Sequence, residues 1–185
     1  MTHPTRRLLL AAAPALLLPI PALSRGAPPE VQAELPGAQL QGSGRMRWFG
    51  LSLYDARLWA AQRPGPERWT ATPLALELQY ARGFEGRAIA ERSLQEMRRQ
   101  REITEEQAGR WLERMVEVFP DVREGDRITG VKRPGELARF FVNGRLLGDV
   151  RDAEFARLFF GIWLAPQTSG PELREALLGL GRAGA

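Results

Sequence analysis

The chain has 185 residues, a formal net charge of +4 from 26 lysine plus arginine against 22 aspartate plus glutamate, and 44% hydrophobic residues. It has no cysteine, and its one histidine is His3, which excludes Ser-His-Asp and Cys-His nucleophilic machinery from the body of the chain, together with zinc, iron–sulfur and histidine-ligated haem sites. The basic residues are arginines interleaved with acids, Lys132 being the only lysine, so there is no basic stripe with aromatics of the kind a nucleic-acid groove needs.

Residues 1–24 read as an export signal. Arg6 and Arg7 precede an apolar stretch from Leu8 to Ile20 that is broken by Pro14 and Pro19, and Ala22-Leu23-Ser24 has the small-x-small form of a cleavage site. The apolar stretch is shorter than the roughly 20 residues a membrane span requires. Thr5-Arg6-Arg7-Leu8-Leu9-Leu10 is also similar to a twin-arginine signal. The expectation is an exported, periplasmic protein with no membrane span in its mature chain, stable without disulfides.

Residues 25–34 read as a flexible leader containing Pro28-Pro29, with a short strand starting at Val31 and ending with Leu35. The domain is expected over 35–182. Ala38 to Trp48 has strand character, but Gly42-Ser43-Gly44 inside it predicts a bulge or bend. Phe49-Gly50 is a turn candidate. Leu51 to Ala60 is a strand whose apolar phase shifts, which predicts a bulge near Tyr54-Asp55 or burial on both faces. After a Pro- and Gly-containing loop over 62–73, Leu74, Leu76, Leu78 and Tyr80 alternate with Ala75, Glu77 and Gln79, the pattern of a half-buried strand with Glu77 in water.

Phe84 to Glu102 has a helical stripe of Ala90, Leu94 and Met97. Thr104 opens a second helix, with Gln107 at capping-box spacing, and Pro120 closes it. Asp121, Glu124 and Asp126 surround Gly125 and read as a solvated turn, so no metal site is expected. Asp126 to Lys132 is a strand. Asn143-Gly144 between Leu137–Val142 and Arg145–Val150 is a strong hairpin signal. Asp152 caps a largely buried helix through Leu164, and Pro171 starts a last one. Strands, two helices, strands and two helices without regular alternation predict an α+β domain, an antiparallel sheet with helices on one face.

The stretches GSGRMRWFGLSLYDARLW, LALELQYARGFEGRAIAERSLQEMRRQ, VFPDVREGDRITGV and FFVNGRLLGDVRDAEFARLFFGIWLAPQT, taken in order, resemble the chalcone-isomerase-like family in its bacterial exported branch. The resemblance covers roughly residues 35 to 180. It implies an open-faced β-sandwich, a large antiparallel sheet with a layer of helices and a ligand cleft between them.

It also implies where a site would fall. In the plant isomerases an arginine after a Gly-x-Gly turn positions the anionic ligand. Here the matching position is Met46, flanked by Arg45 and Arg47. A ketone-polarising threonine would match Tyr54. A Tyr, Lys and Asn on one helix match Phe84, Arg87 and Glu91, and a second threonine matches Thr168. Only the positive charge at Arg87 and the threonine at Thr168 survive, and loss of one oxyanion-hole donor alone costs about 100-fold or more. Chalcone isomerisation is therefore not expected.

Arg45, Arg47, Tyr54, Arg87 and Thr168 are the candidate ligand-binding residues. Each also has an ordinary structural reading: exposed strand arginines, a core tyrosine, an Arg87–Glu91 helix pair, and a threonine in a turn. The resemblance implies a non-catalytic module that binds a small hydrophobic or amphipathic ligand such as a fatty acid, without a cofactor. The alternative is an exported isomerase or lyase acting on an unsaturated or phenolic compound.

Overall fold

Six strands follow one another across a single antiparallel sheet in chain order: β1 (Gln39–Trp48), β2 (Leu51–Ala60), β3 (Leu74–Tyr80), β4 (Arg127–Arg133), β5 (Leu137–Val142) and β6 (Arg145–Val150). The computed structural model describes residues 26–180. The export signal read over 1–24 lies outside them. Among the described residues five α-helices accompany the sheet: α1 (Pro29–Glu34), α2 (Gly86–Arg98), α3 (Glu105–Val118), α4 (Ala153–Leu164) and α5 (Pro171–Leu178). This is the α+β class, with the open-faced layering that the resemblance implied.

Turn chemistry sets the hairpins. Asn143 and Gly144 both have positive φ, 50° and 84°, as a two-residue hairpin turn demands. Phe49 and Gly50 do the same between β1 and β2, at 46° and 79°. Two bulges shift the β1–β2 register. Gln41 is extra on β1, and Leu53 is extra on β2, since Met46 pairs with Tyr54 and Arg47 with Ser52. The β2 bulge thus lies one residue before the position its sequence suggested.

The main core lies between the sheet and α2 to α5. Phe140 of β5 is fully buried and meets Phe119 at 5.1 Å and Phe159 at 5.0 Å, both edge-on. Local signals start the helices. The Thr104 hydroxyl accepts from the Gln107 amide, and Asp152 accepts from the amides of Glu154 and Phe155. The reciprocal half of the capping box is replaced: the Gln107 side chain donates to Glu154 instead. At β1 the glycines let α5 approach the sheet backbone. A Cβ on Gly42 would collide with the carbonyl oxygens of Ala176 and Leu177. The 62–73 loop is tied to the sheet by Lys132, whose buried ammonium donates to the carbonyls of Trp69, Thr70 and Thr72.

The opposite face of the sheet corrects two expectations. Segment 25–34 is folded from Pro29 onward, and the strand expected from Val31 to Leu35 is a helix. Pro29 at its first turn and Glu30 beside it suit a helix start. Val31 and Leu35 lie four residues apart, a spacing that fits one helix face as well as one strand face. Val31 is fully buried and packs with Ala27, Trp59, Ala75, Val131 and Phe141, with Leu35 against them. Consequently β3 is covered on both sides. Ala75 and Glu77 are buried, not wet.

Charges on this face are paired. Arg139 donates from Nε and Nη2 to both Asp149 oxygens, at 2.7 and 2.8 Å, and from Nη1 to Glu34 at 2.9 Å, while Arg133 takes the other Glu34 oxygen. The bonds from Arg139 hold the Asp149 carboxyl below its ordinary value of 3.8. For Glu34, burial alone would raise the carboxyl; the bonds from Arg139 and Arg133 outweigh it and leave the group below its ordinary value of 4.5.

Val31→Ala should lower the unfolding free energy by about 2 kcal/mol, read as a smaller urea midpoint at unchanged slope. Because both carboxyls are depressed in the folded state, their contribution is present above their ordinary values and is lost as pH falls below about 4.5 through the folded ones. Arg139→Gln should therefore flatten the fall in stability between neutral pH and about pH 3, measured by urea unfolding at each pH.

Candidate functional site

Alternation along β1 sends Gly42, Gly44 and Met46 toward the helices and Arg45 and Arg47 away from them. Gly44 meets Leu173 of α5, and Met46 touches Gly170. The extra residue that shifts the register here belongs to β2, so neither arginine is turned inward. Arg45 Nε and Nη2 grip Asp55 at 2.6 and 2.8 Å. That hydrogen bond, with Arg57 and Arg47 adding to it, holds the Asp55 carboxyl below its ordinary value. Arg47 is exposed.

The other three candidates divide. Arg87 is exposed and bonds Glu91 one turn along α2 at 3.1 Å, beside a shallow cleft lined by Leu112, Glu113 and Val116 of α3. Thr168 donates to the Ile162 carbonyl at 2.6 Å and accepts from the Gly170 amide at 3.1 Å, closing the α4–α5 turn. Tyr54 alone stands between the layers. Its hydroxyl accepts from Trp163 Nε1 of α4 at 3.0 Å, and burial pushes its phenol up to about 12. The five residues do not converge on one point.

What does converge is a cluster around Tyr54. Tyr80 packs edge-on at 6.0 Å, and Phe84 follows it at 5.6 Å. Met46 is the cross-strand neighbour. On the α2 side lies Glu96, whose side chain is 8% exposed. Its Oε1 accepts from Arg92 at 2.6 Å. Its Oε2 lies 3.5 Å from Arg99 Nε and makes no hydrogen bond among the described residues. Arg92 in turn sits over the Trp48 ring, 5.6 Å from its centroid.

A row of side chains thus runs from Trp163 and Tyr54 in the interior, past Glu96, to Arg92 and Trp48 at the surface. Its inner part is aromatic and apolar. Its outer end holds a buried carboxylate between two guanidiniums, the donor set that recognises a carboxylate. Tyr54, with its phenol held neutral, can exchange hydrogen bonds there but is a poor base. Sequence reading missed Arg92, Glu96 and Trp163. The spacing of Arg92, Glu96 and Arg99 on one helix was a signal; that Glu96 turns inward was not.

The outer face carries a second polar group. Glu77 is 3% exposed, with Arg57 at 2.7 Å and Trp59 Nε1 at 2.9 Å on its oxygens, under a cleft of about 420 Å3 that Ser43 and Arg127 also line. Among the described residues no cluster of three acidic, histidine or cysteine side chains could hold a metal ion. Asp121 and Asp126 are engaged by backbone amides and Asn143.

Comparison with known proteins follows the same outline. A family model described as chalcone isomerase-like matches residues 26–179. An uncharacterized protein of Haemophilus influenzae is 28% identical over 138 residues, 75% of this chain, and the match spans 66% of that relative's length. The crystal structure of a fatty-acid binding protein of Arabidopsis thaliana matches with a TM-score of 0.60 at 15% identity, over 77% of this chain and 87% of that one. At that identity the likeness concerns the fold.

Tyr54→Phe removes the acceptor of the buried Trp163 indole N–H. It should cost about 1–2 kcal/mol of stability in denaturant titration, whereas Arg87→Gln, at an exposed pair, should cost well under about 1 kcal/mol.

Proposed function

This chain belongs to the chalcone isomerase-like family, and on that premise we propose that it is a non-catalytic binding module for a small amphipathic acid of fatty-acid type. The carrying observation is the buried Glu96 carboxylate set between Arg92 and Arg99 at the outer end of an aromatic interlayer. A ligand carboxylate entering there would share the Arg92 guanidinium with Glu96, using donors that Glu96 leaves free. Its tail would lie against Met46, Tyr54, Tyr80 and Phe84. A charged head group leaving water needs such a partner. The anion-positioning role thus passes to Arg92, which stands on the helix side of the sheet beside Glu96, rather than to Arg45 and Arg47 on the other face or to Arg87, which pairs with Glu91. The plant protein that shares the fold is a fatty-acid binding protein, which supports the same class of ligand.

The proposal includes export to the periplasm after cleavage following Ser24, which rests on the n-region arginines and the short apolar stretch. N-terminal sequencing of the chain recovered from a periplasmic fraction should begin at Arg25.

Native mass spectrometry of protein purified from cells should show a co-purified acid. Titration with a fluorescent fatty acid should show saturable binding that Arg92→Gln weakens about tenfold or more. A chain free of acid that also fails to bind the probe overturns the reading. Turnover of a panel of enones, lost in Tyr54→Phe, would favour the isomerase or lyase instead.

A further inference from the structure

Six large hydrophobic side chains are exposed among the described residues, and three of them sit together at the tip of one hairpin: Trp48 at 53%, Phe49 at 90% and Leu51 at 54%. They flank or form the two-residue β1–β2 turn. Phe49 has a φ of 46°, a left-handed backbone that disfavours a bulky side chain and that asparagine or glycine fills readily. The other two-residue hairpin of this sheet uses Asn143-Gly144 for the same geometry. Folding therefore does not call for Phe49. Packing does not call for it either, because its ring touches Trp48 edge-on at 5.1 Å and is otherwise in water.

The surroundings are cationic. Arg47 precedes Trp48 on the same strand. Arg92 lies over the Trp48 ring. Arg82 is exposed in the segment that joins the hairpin through the Ala81 amide and the Leu53 carbonyl. Neither Arg47 nor Arg82 forms an ion pair with a carboxylate among the described residues; Asp55, Glu91 and Glu96 are held by Arg45, Arg87 and Arg92, and Glu85, exposed three residues beyond Arg82, balances one of these charges at most.

We infer that this hairpin tip docks the protein on an anionic lipid bilayer, with Trp48, Phe49 and Leu51 entering the interface and Arg47, Arg82 and Arg92 meeting the phosphates. A projecting tip of Trp and Phe suits the headgroup boundary, where aromatic side chains concentrate. Basic residues next to it add attraction to a negative leaflet. Charge complementarity selects an anionic bilayer over a second copy of this chain, whose identical tip would oppose arginine to arginine. Docking does not depend on the binding reading above. It would set the Arg92 end of the interlayer against the lipid source.

The test uses the chain beginning at Arg25, which keeps every described residue and omits the apolar N-terminal stretch that would itself bind lipid; near-ultraviolet circular dichroism checks each variant's fold. The protein should co-sediment with vesicles containing phosphatidylglycerol and far less with pure phosphatidylcholine, and added salt should release it. Phe49→Ser should weaken vesicle binding roughly tenfold or more, and Arg47→Gln about fivefold. Neither should change binding of a soluble fluorescent fatty acid. Equal sedimentation with both vesicle types, no sedimentation with either, or a wild-type dimer that Phe49→Ser dissociates would each overturn the inference.

Discussion

Phe140 is the point on which the two layers are joined. Its ring, fully buried in the fifth of six strands, is met by Phe119 from the end of α3 and by Phe155 and Phe159 from α4. Gly130 on the neighbouring strand leaves room for it and for Phe160. Aromatic edges against faces fix distance and angle more tightly than aliphatic packing does. The register of α4 over the sheet follows from this cluster. Trp163 lies one helical turn beyond Phe159 and touches it at 5.5 Å, so the same packing that builds the core delivers the indole N–H to Tyr54. The candidate site is the edge of the core.

The other face of the sheet is held by a different balance. Burying a carboxylate is costly unless it is paired and hydrogen-bonded. Glu77 meets that condition at both oxygens through Arg57 and Trp59; Glu30 meets it at Oε1 through Arg127 and Thr129, while its Oε2 makes no hydrogen bond among the described residues. α1 seals this arrangement with one small apolar cluster around Val31. The result is a sheet with apolar contact on both sides at its centre and ion pairs along its margin. The arginine-rich composition thus serves the fold more than any anionic polymer.

The two ends of the Tyr54 row differ in kind. Inside, satisfied hydrogen bonds and aromatic contacts leave little that is reactive. Outside, the Arg92–Glu96 pair and the Trp48 ring are stacked at the base of an exposed hairpin. A guanidinium that faces a buried acid on one side and an aromatic on the other is placed to share its donors. In the proposed reading this is the mouth of the binding site, and it needs neither imidazole nor thiol.

Sequence alone determined the strand and helix order from Gln39 onward, the Asn143-Gly144 turn, the Asp152 cap and the family resemblance, because each rests on local periodicity, turn chemistry or residue order. The absence of catalytic histidine and cysteine was legible in the same way. It also raised the plain readings of Arg87 and Thr168, an i to i+4 pair and a turn, which depend only on neighbours in the chain. Tertiary structure decided what the second face of a strand meets. Glu77 looked wet because β3 alternates, and nothing local said that α1 would cover it. Arg45 and Arg47 were ambiguous because one bulge reverses a face, and the extra residue proved to be Leu53 on the partner strand. Glu96 looked like a solvated helix position until α2 was docked beside Tyr54. In each case the deciding quantity was a contact between segments far apart in sequence, which periodicity within one segment does not contain.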